Sequence, residues 1–134
     1  MSEQYNDLHQ SFGRCLQERE FISQFYTRLL DSHPAIAPKF EKTDFTRQRT
    51  LLRRGISLAI SYAEGSDVGA RGVDRMAQIH SRKGHAPVEP HLHEHWVGCL
   101  LQTISETDPE INEVLRQRWR EAMRHTIKRF SELY

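Results

Sequence analysis

Apolar residues recur with helical spacing along almost the whole chain, and no stretch alternates as a half-buried strand does. Residues 19–31 place Phe21, Ile22, Phe25, Tyr26, Leu29 and Leu30 on one stripe, which predicts a helix. His33-Pro34 ends it, because the residue before a proline is pushed out of helical geometry. A short segment from Ala35 to Phe40 follows, kept irregular by Pro38. Asp44 is a candidate N-cap for a helix running to about Ala63. Its inward stripe is Phe45, Gln48, Leu52, Ile56, Ala59 and Ala63, and a polar Gln48 within that stripe asks for an explanation.

Glu64 to Asp67, with Gly69 and Gly72 close behind, predicts the loosest region of the chain. A helix from near Arg71 to Ser81 follows, with Val73, Met76, Ala77 and His80 on its inner face. Arg82 to Pro90 holds Gly84, Pro87 and Pro90 and predicts a loop. From Pro90 to Glu106 the stripe is Leu92, Trp96, Cys99, Leu100 and Ile104. Thr107-Asp108-Pro109-Glu110 has the form of a capping box, opening a last helix whose stripe runs through Ile111, Val114, Leu115, Trp119, Ala122, Met123, Ile127, Phe130 and Tyr134. The expected fold is all-α, with six or seven helices.

Length and composition narrow the class. A chain of 134 residues predicts one domain spanning 1–134, with room for one core and none for a second catalytic unit. Net charge is +1, and the 15 Arg and 4 Lys are spread over every segment, which points away from nucleic acid and anionic membrane as partners. No apolar run is long enough to span a bilayer, and the polar start MSEQYNDLHQ lacks a signal-peptide core. Cys15 and Cys99 lie far apart and form no redox or metal motif, so a reduced, cytoplasmic protein is expected.

Three features carry candidate chemistry. His80 sits on an apolar helical face beside a Gly/Pro-rich loop. Gln48 and Leu52, at i and i+4, share the inward face of an earlier helix. Tyr26 sits on the inward stripe of the helix before that, followed by a proline corner and Phe40. A neutral imidazole is a good axial ligand for haem iron, and a polar group across the pocket would select among diatomic ligands. Taken alone, each has a plainer reading: His80 as a core histidine, Tyr26 as a core tyrosine with its hydroxyl at the surface, and Gln48 as a solvent-facing residue. Leu52 and Phe40 would be core residues under either reading.

The block Phe25-Tyr26-x-x-Leu29-Leu30-x-x-His33-Pro34-x-x-x-Pro38-x-Phe40 resembles the globins, specifically bacterial single-domain globins and the globin domain of flavohaemoglobins. Gln48-x-x-x-Leu52, Met76-Ala77-x-x-His80 and Trp96-Val97-Gly98-x-Leu100-Leu101 extend the likeness over residues 10–134. The resemblance implies a globin fold of six to seven helices sandwiching haem b. His80 would be the proximal iron ligand, Tyr26 and Gln48 would bond the distal ligand, and Phe40, Leu52 and Met76 would contact the haem. It implies reversible binding of O2, CO or NO, with NO dioxygenation if a separate reductase supplies electrons. The alternative is a gas or redox sensor acting on a signalling partner in trans, as monomer or homodimer. A globin-fold interaction module without haem is a third reading, and His80 in register stands against it. In flavohaemoglobins a tyrosine and a glutamate bracket the proximal histidine. The best-matching positions here are Leu92 or His93, and Phe130, which speaks against a strongly anionic proximal ligand and that type of O2 activation.

Further histidines compete for attention. His85 is the nearest alternative to His80, but in a loop a fixed ligand direction is harder to hold. His91 and His95, at i and i+4 on a helix, could bind one ion, but the pattern lacks the His-Glu-x-x-His spacing and has no Cys or second carboxylate group close by, so some of His85, His91, His93 and His95 are expected to line the proximal side of a haem or face solvent. Arg82 and Lys83 are either partners of haem propionates or solvated loop charges.

Overall fold

A computed structural model describes residues 4–134, and among these there are six α-helices and no strand. They are α1 (Asn6–Leu16), α2 (Phe21–Ser32), α3 (Phe45–Ala63), α4 (Asp67–Ile79), α5 (His93–Thr107) and α6 (Glu113–Leu133), with short 3-10 helices at Ala37–Phe40 and Pro90–Leu92. The all-α expectation is met.

The Asp44 cap forms as expected. Its carboxylate accepts hydrogen bonds from the Thr46 and Arg47 amides, satisfying donors that have no partner inside the helix. Three expectations need correction. Helix α4 starts at Asp67, capped by the Ser66 hydroxyl on the Gly69 amide, so Gly69 and Gly72 lie inside a helix rather than in a loose loop. Thr107-Asp108-Pro109-Glu110 does not open the last helix. Thr107 closes α5, Asp108 is its C-cap, and α6 begins at Glu113 under an Asn112 cap that accepts from the Leu115 amide. Val114, expected on the inner stripe of α6, is 72% exposed.

The first of these has a packing reason. A Cβ added at Gly69 would lie 2.5 Å from the backbone nitrogen of Tyr62, and one at Gly72 would lie 2.7 Å from the Leu58 side chain. Gly69 is in α4 because α4 crosses α3 there at near-backbone contact, which only a residue without a side chain permits, while at Gly72 the close neighbour is the Leu58 side chain. That benefit offsets the loss of about 1 kcal/mol that glycine carries in a helix interior. Further along the same pair, the Met76 sulfur lies where a Cβ on Gly55 would come within 3.1 Å of it. The two helices therefore run antiparallel, tightest at the turn that joins them.

A second anchor lies at the other end of the bundle. Asp108 is 2% exposed and accepts from the Ser11 hydroxyl (2.6 Å), from Arg14 Nε (2.6 Å) and from the Glu110 amide. Burial alone would raise its pKa, but the Arg14 and Ser11 hydrogen bonds outweigh it and the pKa is lowered, so Asp108 is held as a carboxylate. The Ser11 hydroxyl in turn accepts from the Trp119 indole N–H at 3.0 Å, and Trp119 is fully buried. One carboxylate thus ties α1, the end of α5 and α6 into a single core, lined by Phe12, Phe21, Phe25, Leu100 and Met123.

Because the obstruction at Gly69 is backbone and that at Gly72 is a movable leucine tip, their alanine variants separate. Gly69→Ala is expected to cost about 2 kcal/mol or more, while Gly72→Ala stays within about 1 kcal/mol of the parent once the gain in helix propensity is counted. Urea unfolding of both variants checks this, and equal costs would show that the close crossing is not what the glycines serve.

Candidate functional site

Each residue singled out in the sequence can now be placed. Tyr26 lies on α2 and is 5% exposed. Gln48 and Leu52 lie on α3, one turn apart, and the Gln48 amide Nε2 donates to the Tyr26 phenol oxygen at 3.1 Å. The polar break in the α3 stripe is explained, since Gln48 points at Tyr26 and not at solvent. As the phenol oxygen accepts from Gln48, its own proton remains available to a third group. Burial pushes the Tyr26 pKa up to about 12, with the Gln48 hydrogen bond acting the other way, so the ring is a neutral donor at any physiological pH.

Aromatic rings wall this pair. Phe40, at the end of the first 3-10 helix, packs edge-on against Tyr26 with centroids 5.8 Å apart, and Phe45 packs against both (5.4 Å from Tyr26, 6.0 Å and stacked on Phe40). Phe45 joins the site unannounced by its sequence, where it is one of several apolar stripe positions. Leu52 is buried beside Gln48, and Met76 sits against α3 at Gly55.

His80 is the C-cap of α4 rather than a residue within it. Its Nδ1 lies 2.8 Å from the Ala86 carbonyl. A carbonyl oxygen only accepts, so the ring proton sits on Nδ1 and Nε2 carries a lone pair. Burial is the main cause of a lowered His80 pKa, which keeps the ring neutral. The loop behind it is folded tightly onto the end of α4. The Ala86 amide donates to the Ile79 carbonyl and the Val88 amide to the His80 carbonyl, both at 3.0 Å. A Cβ at Gly84 would fall 2.2 Å from the Ile79 carbonyl oxygen, so this turn needs glycine for closeness. On the outer side, Lys39 reaches from beside Phe40 to the Pro87 carbonyl (3.1 Å) and Glu89 (3.2 Å).

The antiparallel crossing of α3 and α4 brings the half of α3 that carries Leu52 and Gln48 alongside the end of α4 that carries His80. There Leu51 is 48% and Ile79 40% exposed, two of the few large apolar side chains left open to solvent among the described residues. The arrangement has an imidazole lone pair at the end of α4 and, on the α3 side, an amide–phenol pair formed by Gln48 of α3 and Tyr26 of α2.

The remaining histidines sort themselves. His91 and His95 pack edge-on against His33, with ring centroids 5.9 and 5.1 Å apart. His33 is itself engaged, its Nδ1 accepting from the Ala35 amide at 3.0 Å. Among the described residues no group of three or more His, Cys, Asp or Glu side chains is arranged to hold a metal ion. His85 is exposed in the loop. His93 is different: it is 5% exposed and its ring lies 5.7 Å from Phe130, the ring that also lies 5.7 Å from His80. Both positions matched earlier to the bracket around a proximal histidine thus lie around His80. Arg82 is turned away, its guanidinium 5.1 Å above the Tyr134 ring and its amide on the Tyr134 carbonyl. The Ala86 carbonyl, which sets the His80 tautomer, is a backbone group that side-chain pattern does not reveal. Cys15 and Cys99 are both buried free thiols, and burial pushes Cys15 up to about 12. No described helix is long and apolar enough to cross a membrane.

No protein-family model matches the chain, and no curated protein matches it. Among solved structures it is similar to protein PA3967 from Pseudomonas aeruginosa PAO1, described as structurally highly homologous to a human haemoglobin. The two are 33% identical, the match covers 94% of each chain, and the TM-score is 0.89.

The raised Tyr26 pKa gives a sign that can be checked. Below pH about 10 the phenol is protonated whether the chain is folded or not, and it adds no pH dependence. Above pH 10 the unfolded chain loses this proton first, so stability falls as pH climbs from 10 towards 12. Tyr26→Phe should remove that component from the alkaline limb of a stability profile and delete one tyrosine ionisation near pH 12 followed by ultraviolet absorbance. An unaltered ionisation near pH 12 would show that the raised phenol is not Tyr26.

Proposed function

The chain belongs to the globins, and from that premise we propose that it holds haem b on His80 and binds O2 reversibly. The observation that carries this reading is the His80 ring: its Nδ1 proton is fixed on the Ala86 carbonyl, which leaves the Nε2 lone pair as a metal ligand of set direction. His80 would hold a haem bound there, and the group would supply an iron able to take a diatomic ligand. The chain's own residues suit such a group. Phe40, Leu52 and Met76 offer apolar and soft surface to a porphyrin, and the open faces of Leu51 and Ile79 would gain cover from it. Haem b is held without covalent attachment to the protein, so ligation and apolar burial are what the chain would supply to hold it.

Selection among ligands falls to Tyr26 and Gln48. Their hydrogen bond aligns the phenol and leaves its proton free for a polarised ligand such as O2, whereas CO gains little from a donor. A hydrogen bond of this kind to a charged partner contributes about 1.5–3 kcal/mol, or roughly 10- to 100-fold in affinity. Such retention is poorly suited to delivery. It suits conversion of NO, which with O2 and one electron gives nitrate, the electron coming from a separate reductase.

The test is the absorption spectrum of the protein after haem reconstitution, in ferric, reduced, and reduced plus O2 or CO forms. A Soret band with stable O2 and CO forms is expected, and its absence overturns the reading. Tyr26→Phe is expected to speed O2 release by roughly 10- to 100-fold with little change for CO. An unchanged O2 off-rate would take Tyr26 out of the ligand pocket. NO loss that is stoichiometric and never catalytic under a reducing system would leave a binding globin without dioxygenase activity.

A further inference from the structure

His93 opens α5 and is 5% exposed, yet neither of its ring nitrogens has a hydrogen-bond partner. A buried polar side chain left without partners is uncommon and calls for a reason, because its lost hydration is not repaid. Here the ring is neutral, since burial is the main cause of a lowered pKa and outweighs the opposing pull of the nearby Val88 backbone, and it therefore carries one N–H and one lone pair. Among the described residues only two side chains have buried polar atoms without a partner, His93 at both ring nitrogens and Thr126 at its hydroxyl. His93 lies against Phe130, which His80 also touches at the same 5.7 Å centroid distance. Two neutral imidazoles therefore share one apolar surface, on the same side of the bundle, at the two ends of one short loop. The other histidines are elsewhere, His91 and His95 on His33 and His85 in the exposed loop.

We propose that His93 is a second axial ligand held in reserve behind His80, an imidazole that takes the haem iron when His80 releases it or is removed. The inference rests on the haem reading above. Three features favour exchange between these two groups. No well-formed hydrogen bond holds the His93 ring, whose nearest backbone neighbour of this kind is Val88, so little has to be broken before it can ligate. His80 is held by one side-chain bond, to Ala86, on the loop that joins the two residues. That loop is fastened to α4 and to Lys39 by bonds that do not involve the His93 ring, so its fastening survives a change of ligand.

The experiment reconstitutes the full chain with haem as wild type, His80→Ala, His93→Phe and the double variant. Ferric electron paramagnetic resonance and reduced-state absorption report whether an imidazole is bound, and circular dichroism reports the fold. His80→Ala is expected to keep haem with imidazole ligation, at an affinity reduced by about 10-fold, and the double variant to lose the imidazole signature. His93→Phe alone should keep the wild-type signature. A His80→Ala protein that is folded, but whose spectra match those of the double variant, overturns the proposal while leaving the haem reading intact. Wild type that takes up no haem overturns both. If His80→Ala fails to fold, His80→Gln replaces it, with the same two outcomes.

Discussion

The site depends on how closely α4 approaches α3. At Gly69 the two backbones are too near for even a methyl group, and that contact fixes where the remaining length of α4 lies. Its far end carries His80, and the facing length of α3 carries Leu52 and Gln48. A residue with a side chain at Gly69 would move the helix as a rigid rod, and a displacement at one end would be carried to His80 three turns away. The cost of placing glycine within a helix is thus exchanged for a defined separation between an imidazole and an amide–phenol pair.

The rest of the bundle holds these two helices from outside. Asp108 fastens α1 to the end of α5 through Ser11 and Arg14, and Ser11 passes the connection to Trp119 of α6. A buried carboxylate is tolerable because every lone pair that matters is met by a donor, including one charged one. Helix α6 also carries Phe130 against His80 and His93, so the same helix that is tied into the core by Trp119 forms the floor behind the imidazoles. Arg129 of α6 pairs with Asp74 of α4 at 2.7 Å, a partly exposed contact that adds registration more than stability.

Chemically, the two sides of the site are kept neutral by burial. Tyr26 and His80 are both shifted towards their uncharged forms, with desolvation as the leading cause in each case. A neutral imidazole has a lone pair to give and a neutral phenol a proton to donate, the forms that ligand binding at an iron centre requires. The hydrogen bonds from Gln48 and to Ala86 then set direction, which burial alone does not.

The helical period in the sequence was sufficient for the fold class, since a 3.6-residue stripe of large apolar side chains has few ways to be buried except against other helices. It also placed the Asp44 cap, whose physics is local, and it brought Tyr26, Gln48, Phe40 and His80 to notice through a family pattern. What it misjudged depends on contacts distant in the chain. Gly69 and Gly72 look like loop residues until α3 lies across them. The Thr107 to Glu110 box looks like a helix start until Ser11 and Arg14 claim Asp108. Val114 looks like core until nothing packs on it. The His80 tautomer rests on the Ala86 carbonyl, and the isolation of His93 from its neighbours His91 and His95 rests on which helix face meets Phe130 and which meets His33. Side-chain periodicity is a property of one segment, so it determines which elements form; backbone proximity and the pairing of buried polar groups are properties of two segments at once, and only the packed structure decides them.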